Sequence, residues 1–167
     1  SLQTGQHVKR VSEYTRIMAG YAGYSEKECT NIALAAMMHD IGKLIIPSEI
    51  LEKPSRLTDE EFAVIKTHVT YGEELLRNSP GEVMKMARRI ALQHHERWDG
   101  SGYPRGLAGP ESPLSARIFA VADVYDARTS DRPYRKAWPK EKALAYIREE
   151  AGKQFDPEVV EAFLKLM

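Results

Sequence analysis

Residues 25–43 read SEKECTNIALAAMMHDIGK, and this stretch decides the fold class. Ser25, three residues ahead of Glu28, has the pattern of a capping box, so a helix opens here. The apolar run Ile32 to Met38 carries that helix forward, and Gly42 is positioned to end it. The run is far too short to span a bilayer. At its C-terminal end stand His39 and Asp40, with Lys43 three residues beyond. A helix that delivers a histidine and a carboxylate to its own terminus is a helix that builds a site.

The helical period recurs on both sides. Val8, Val11, Tyr14, Thr15 and Met18 form one face, ended near Gly20 and Gly23. Thr58 followed by Glu61 repeats the capping signal ahead of Phe62, Ile65, Val69 and Leu75-Leu76. Further helices fit Val83 to His94, Ser115 to Ala127 and Pro139 to Glu149, the last with proline in its first turn. Asp156-Pro157 opens a terminal helix through Val160 and Phe163. No segment alternates with β-branched enrichment, so no sheet is expected. The reading is an all-α bundle of about seven helices, one domain over residues 1–167. Glu96 to Pro113 is rich in glycine and proline, and a structureless loop of that length is usually functional.

The chain has 167 residues, 43% hydrophobic and 29% charged, enough for one core and typical of a globular protein. A formal charge of zero gives no non-specific hold on polymeric nucleic acid or anionic lipid, so phosphate recognition must be local. One cysteine, Cys29, cannot form an internal disulfide, which suits a reducing cytosol. A first residue of Ser1 and a helical pattern already under way read as a domain excised from a longer chain. The expected missing part lies upstream.

The chemistry sits in five histidines: His7, His39, His68, His94 and His95. Adjacent helical residues point about 100° apart, so His94 and His95 reach one cluster most easily where a helix ends. Imidazole with carboxylate suits iron, manganese, zinc or nickel, and the lack of cysteine ligands argues against structural zinc. Asp123 lies in the apolar run Ile118 to Ala122, where a carboxylate needs a cation or donors to offset desolvation. Taken singly, each of these residues has an ordinary explanation as a capping, surface or hydrogen-bonded group.

Their order is more telling. His7, then His39-Asp40, His94-His95 and Asp123, resembles the pattern of HD-domain phosphohydrolases. The run His94-His95-Glu96-Arg97-Trp98-Asp99-Gly100-Ser101-Gly102-Tyr103-Pro104 resembles the signature of the HD-GYP family, the bacterial cyclic di-GMP phosphodiesterases. The likeness extends from Thr4 to about Phe163 and includes His39-Asp40-Ile41-Gly42-Lys43, Ala122-Asp123-Val124-Tyr125-Asp126 and Arg132-Pro133-Tyr134-Arg135.

The resemblance implies an HD-domain fold and a role for each motif residue. His7, His39, Asp40 and Asp123 would hold one metal, and His68, His94 and His95 a second, with Asp40 bridging. The ions would be iron or manganese, with zinc, nickel or cobalt as alternatives. Asp40 and Lys43 carry catalysis in this scheme, and Lys43, Tyr103, Arg132 and Arg135 bind substrate. Gly102 and Pro104 fix the loop, and Asp126 supports the metal ligands. The implied reaction opens cyclic di-GMP, or a related cyclic dinucleotide, to linear pGpG. An upstream sensory or receiver region and GGDEF-type signalling proteins are the implied partners, and the cytoplasm the implied location, without membrane contact.

Two positions depart from the family pattern. Gln3 stands where a glutamate often helps bind a third metal, so further cleavage to GMP is expected to be slow or absent. Arg128 replaces a common leucine, and either adds charge near the site or faces water. The competing readings are a phosphohydrolase of other nucleotides, a non-catalytic dinucleotide- or partner-binding module, and a di-iron oxidative or oxygen-sensing protein. The Gly-Tyr-Pro loop, the complete ligand set, and Lys43 with the arginines argue against these in turn.

Overall fold

A computed structural model describes residues 5–132 and 135–167. Gln3 and the Pro133-Tyr134 pair lie outside the described residues. Nine α-helical segments are present among them: α1 (Gly5–Tyr21), α2 (Glu26–Ala36), α3 (Ser48–Leu51), α4 (Asp59–Lys66), α5 (His68–Leu76), α6 (Glu82–Gln93), α7 (Leu114–Thr129), α8 (Lys140–Glu149) and α9 (Pro157–Leu166). Short 3-10 turns cover Ile41–Ile45 and Gly109–Glu111. Only isolated bridges, such as Asp99 with Ala108, stand in for a sheet among the described residues.

The expected all-α bundle is what the chain forms, and the capping signals hold at atomic detail. Ser25 Oγ accepts from the Glu28 amide at 3.1 Å, and Glu28 Oε1 accepts from the Ser25 amide at 3.2 Å. Thr58 and Glu61 repeat the exchange at 3.1 and 2.8 Å. Asp156 caps α9 by accepting from the Glu158 amide.

Two boundaries differ from the sequence reading. The single helix expected from Phe62 to Leu76 is broken at Thr67 into α4 and α5. There the Thr67 hydroxyl donates to the Val64 carbonyl and His68 Nδ1 donates to the Ile65 carbonyl, so side chains take over acceptors that a continuous helix would use. Second, α2 ends at Ala36, and Gly42 lies inside the following 3-10 turn rather than ending the helix. A Cβ on Gly42 would sit 1.8 Å from the His68 carbonyl oxygen and 2.6 Å from the Gly72 amide nitrogen. Glycine is required there so that two backbones can touch.

The long helix α7 is central. Ile118, Val121 and Tyr125 on one side pack with Met18, Ile147, Phe155, Val160 and Phe163 from α1, α8, α9 and the segment before α9. Phe119 and Ala122 on another side pack with Val11, Ala35, Leu76, Ile90 and Ala91 from α1, α2, α5 and α6. Burial on both sides explains why α7 lacks a polar face over most of its length. Its C-terminal half carries Asp123 and Asp126 toward α1.

Candidate metal centre

Three helix ends converge on one carboxylate. His39 follows α2, His68 opens α5 at the break after α4, and His94 caps α6. Each directs Nδ1 at a backbone carbonyl three or four residues earlier: His39 to Ala36 at 2.8 Å, His68 to Ile65 at 2.7 Å, and His94 to Ile90 and Ala91 at 2.9 and 3.0 Å. A carbonyl can only accept, so Nδ1 carries the proton in all three rings. The Nε2 lone pairs are thereby presented elsewhere, the orientation expected of metal-ligating histidines.

They face Asp40. His39 Nε2 lies 3.2 Å from Oδ2, while His68 and His94 Nε2 lie 3.2 and 3.4 Å from Oδ1. His68 and His94 Nε2 are themselves 3.4 Å apart. Despite these close neighbours, Asp40 Oδ1 is buried with no hydrogen-bond partner. Lone pairs therefore confront a carboxylate in a dry pocket, an arrangement that a cation satisfies. His39 and His68 are at most 2% exposed, and Phe119 packs its ring 4.6 Å from His39 and 5.7 Å from His94.

His95 completes a second group. One ligating atom each from His68, His94 and His95 all lie within 4.8 Å of one another. Burial holds His94 below the ordinary imidazole range and pushes His95 down to about 2, so both stay neutral and able to ligate.

The remaining expected ligands meet on the α1–α7 side. His7 Nε2 is 3.2 Å from Asp123 Oδ1, and Asp123 acts through its charge on His39. Burial opposes charge on His7, but Asp123 and Asp126 prevail and raise it to about 9. Asp126, only 1% exposed, accepts from His7 Nδ1 at 2.5 Å and from Arg10 Nε and Nη2 at 2.7 and 3.1 Å. Asp126 thus fixes the His7 ring, and Arg10 fixes Asp126. The Asp123 side chain retains about a quarter of its exposure, so the burial expected from its apolar run is partial.

Lys43 Nζ stands 3.0 Å from Asp40 Oδ2, at the mouth of the same pocket. Tyr103 stacks on His95 with ring centroids 4.9 Å apart and planes at 16°. A Cβ on Gly102 would lie 2.4 Å from the His95 carbonyl oxygen, which makes the glycine a spacer for loop packing. Sequence reasoning missed Glu96: its buried carboxylate accepts from the Arg105 and Leu107 amides at 3.0 and 2.9 Å and ties down the loop. An acidic residue directly before a glycine-rich loop was the available signal.

Arg132 and Arg135 lie on the segment that follows α7. They pair through their backbones, and Arg135 Nη2 donates to the Ala127 carbonyl at 2.8 Å, leaving Nη1 buried without a hydrogen-bond partner. Arg128 neither faces water freely nor joins the ligands. Its guanidinium lies 4.8 Å from the Trp138 ring centre and 5.3 Å from that of Tyr146.

The family model described as HD domain matches residues 2–159. A cyclic di-GMP phosphodiesterase of Thermotoga maritima is 49% identical over 99% of this chain and 45% of its own length. A 3'3'-cGAMP-specific phosphodiesterase of Vibrio cholerae is 42% identical over 99% of this chain and 32% of its own. The chain therefore spans less than half the length of these curated relatives. Among solved structures, a cyclic GMP-AMP specific phosphodiesterase of Vibrio cholerae superposes with a TM-score of 0.74 at 22% identity, over 98% of this chain and 44% of that one. That likeness establishes the fold.

Proposed function

The chain belongs to the HD domain family, and from that premise we propose that it hydrolyses cyclic di-GMP to linear pGpG at a two-metal centre. The pocket around Asp40 carries the reading: three fixed imidazole lone pairs and an unpartnered carboxylate oxygen share one dry space. His7, His39, Asp40 and Asp123 would hold one ion, and His68, His94 and His95 the other, with Asp40 shared. The nitrogen and oxygen donors suit iron or manganese first, with zinc, nickel or cobalt as alternatives. Bound ions supply a nucleophile at neutral pH and charge neutralisation at the phosphoryl oxygens.

The chain's own groups orient the reaction. Lys43, beside Asp40, is placed to bind a phosphate oxygen or to support the leaving oxygen. Asp126 and Arg10 hold His7, and Phe119 keeps water from the back of the pocket. Tyr103 steadies the nucleotide against His95. Arg132 and Arg135 bind the phosphates, and the unpartnered Nη1 of Arg135 is a donor available for that purpose. The 42% identity to a cGAMP-specific relative favours 3'3'-cGAMP as the second candidate substrate.

The neutral amide of Gln3 makes a poor third-metal ligand, so linear pGpG is the expected end product. In the whole protein this domain would work in the cytoplasm under an upstream sensory or receiver region, opposite GGDEF-type signalling proteins. A chromatographic time course on excess cyclic di-GMP with manganese-loaded protein tests the reading. Linear dinucleotide should accumulate ahead of GMP. No consumption of any cyclic dinucleotide overturns the reading, and prompt conversion to GMP overturns the part resting on Gln3.

A further inference from the structure

Beside the metal ligands lies a cleft of about 270 Å3, in which the scheme above uses His94, His95 and Tyr103 but not the α4 side. Phe62 and Lys66 of α4 line one side, His95, Arg97 and Tyr103 another, and Gln154 joins them. Its volume falls short of the roughly 300–1,000 Å3 of a whole-ligand pocket, so it would take part of a dinucleotide. Aromatic rings form part of its lining, and Glu96 and Ser101 add polar groups. The Phe62 and Tyr103 rings meet edge to face at 6.5 Å, and Tyr103 in turn stacks on His95. Phe62 is 45% exposed, so a large apolar ring is held in water beside a polar site.

One cation stands over this platform. Lys66 Nζ is 4.8 Å from the Phe62 ring centre and 5.5 Å from that of Tyr103. A base stacking on Phe62 would take the place this ammonium holds over the ring and displace it to the base's own edge. Guanine offers two acceptors on one edge, O6 and N7, whereas adenine offers N7 beside an amino group whose hydrogens oppose a cation.

Resting on the phosphodiesterase reading, we infer that Phe62, Tyr103 and Lys66 form a purine subsite for one base of the cyclic dinucleotide, with Lys66 selecting guanine over adenine. Stacking supplies affinity for either purine. The lysine supplies the difference between them. α4 thus contributes substrate discrimination, although it holds no metal ligand.

Equilibrium binding of slowly hydrolysed phosphorothioate analogues of cyclic di-GMP and cyclic di-AMP tests the assignment. The full chain would be manganese-loaded and compared as wild type, Lys66→Met and Phe62→Ala. Lys66→Met should weaken the guanine ligand about tenfold or more and the adenine ligand little, since one charge-assisted contact is lost. Phe62→Ala should weaken both about tenfold. Metal content should be unchanged in both variants. Equal weakening of both ligands by Lys66→Met would make the lysine a phosphate contact and overturn the inference, as would no effect. Parallel hydrolysis of cyclic di-GMP separates the two levels. The expected binding pattern without turnover would sink the phosphodiesterase reading alone, and turnover indifferent to Lys66 would sink the base subsite alone. Failure of the wild type to bind either ligand overturns both.

Discussion

At the scale of single residues, the site works because each ligand is itself held. His39, His68 and His94 spend Nδ1 on helix-end carbonyls, and His7 spends it on Asp126. His39 and His94 were legible in the sequence as histidines at helix termini, whereas His68 was not, because it falls inside the single helix expected from Phe62 to Leu76. The fourth partnership was harder to see, because His7 and Asp126 stand 119 positions apart and only the packing of α1 on α7 unites them. Asp126 was visible as one turn beyond Asp123, but Arg10 carried no local signal. Asp126→Asn should keep the fold while freeing the His7 ring, and metal affinity should fall about 10- to 100-fold. Competition with a chromophoric chelator reads that change. Unaltered affinity would show that Asp126 plays no part in orienting His7.

At the scale of elements, close backbone packing sets the geometry. Gly42 lets the 3-10 turn after Asp40 touch α5 at His68, which is how Asp40 and His68 come within 3.2 Å. The sequence marks the glycine but assigns it to helix termination, because its true partner lies in another element. Gly42→Ala forces a methyl group into backbone that has no side chain to yield. Urea unfolding should show a loss of about 3 kcal/mol or more, and stability within 1 kcal/mol of wild type would contradict the packing. Elsewhere Glu73 of α5 accepts from Arg77 at 2.6 Å and from Arg88 of α6 at 2.5 Å. Arg77 and then Arg88 hold its carboxyl below the ordinary 4.5. A depressed carboxyl stabilises the fold above its unfolded pKa and loses that contribution as pH falls through its folded value. The Tm gap between wild type and Glu73→Gln should therefore be full at about pH 7 and shrink from about pH 5 downward. A gap independent of pH would exclude the linkage.

At the scale of the whole molecule, α7 joins two apolar clusters and delivers Asp123 and Asp126 toward α1. Helical period and capping residues were enough to read the bundle, because both are local properties. The break at Thr67 was not legible, since His68 opens a new helix there to serve a site assembled from α2 and α6. Those helix ends bring together ligands from distant segments, and the account's central claim is that the assembly acts through bound metal. The direct measurement is the initial rate of cyclic di-GMP cleavage against metal bound per chain, titrated from chelator-stripped protein for wild type and Asp40→Ala. Wild type should be inactive when stripped and reach full rate near two ions per chain, and Asp40→Ala should stay inactive and fail to retain metal. Cleavage by the stripped protein, or by Asp40→Ala at wild-type rates, would contradict the account.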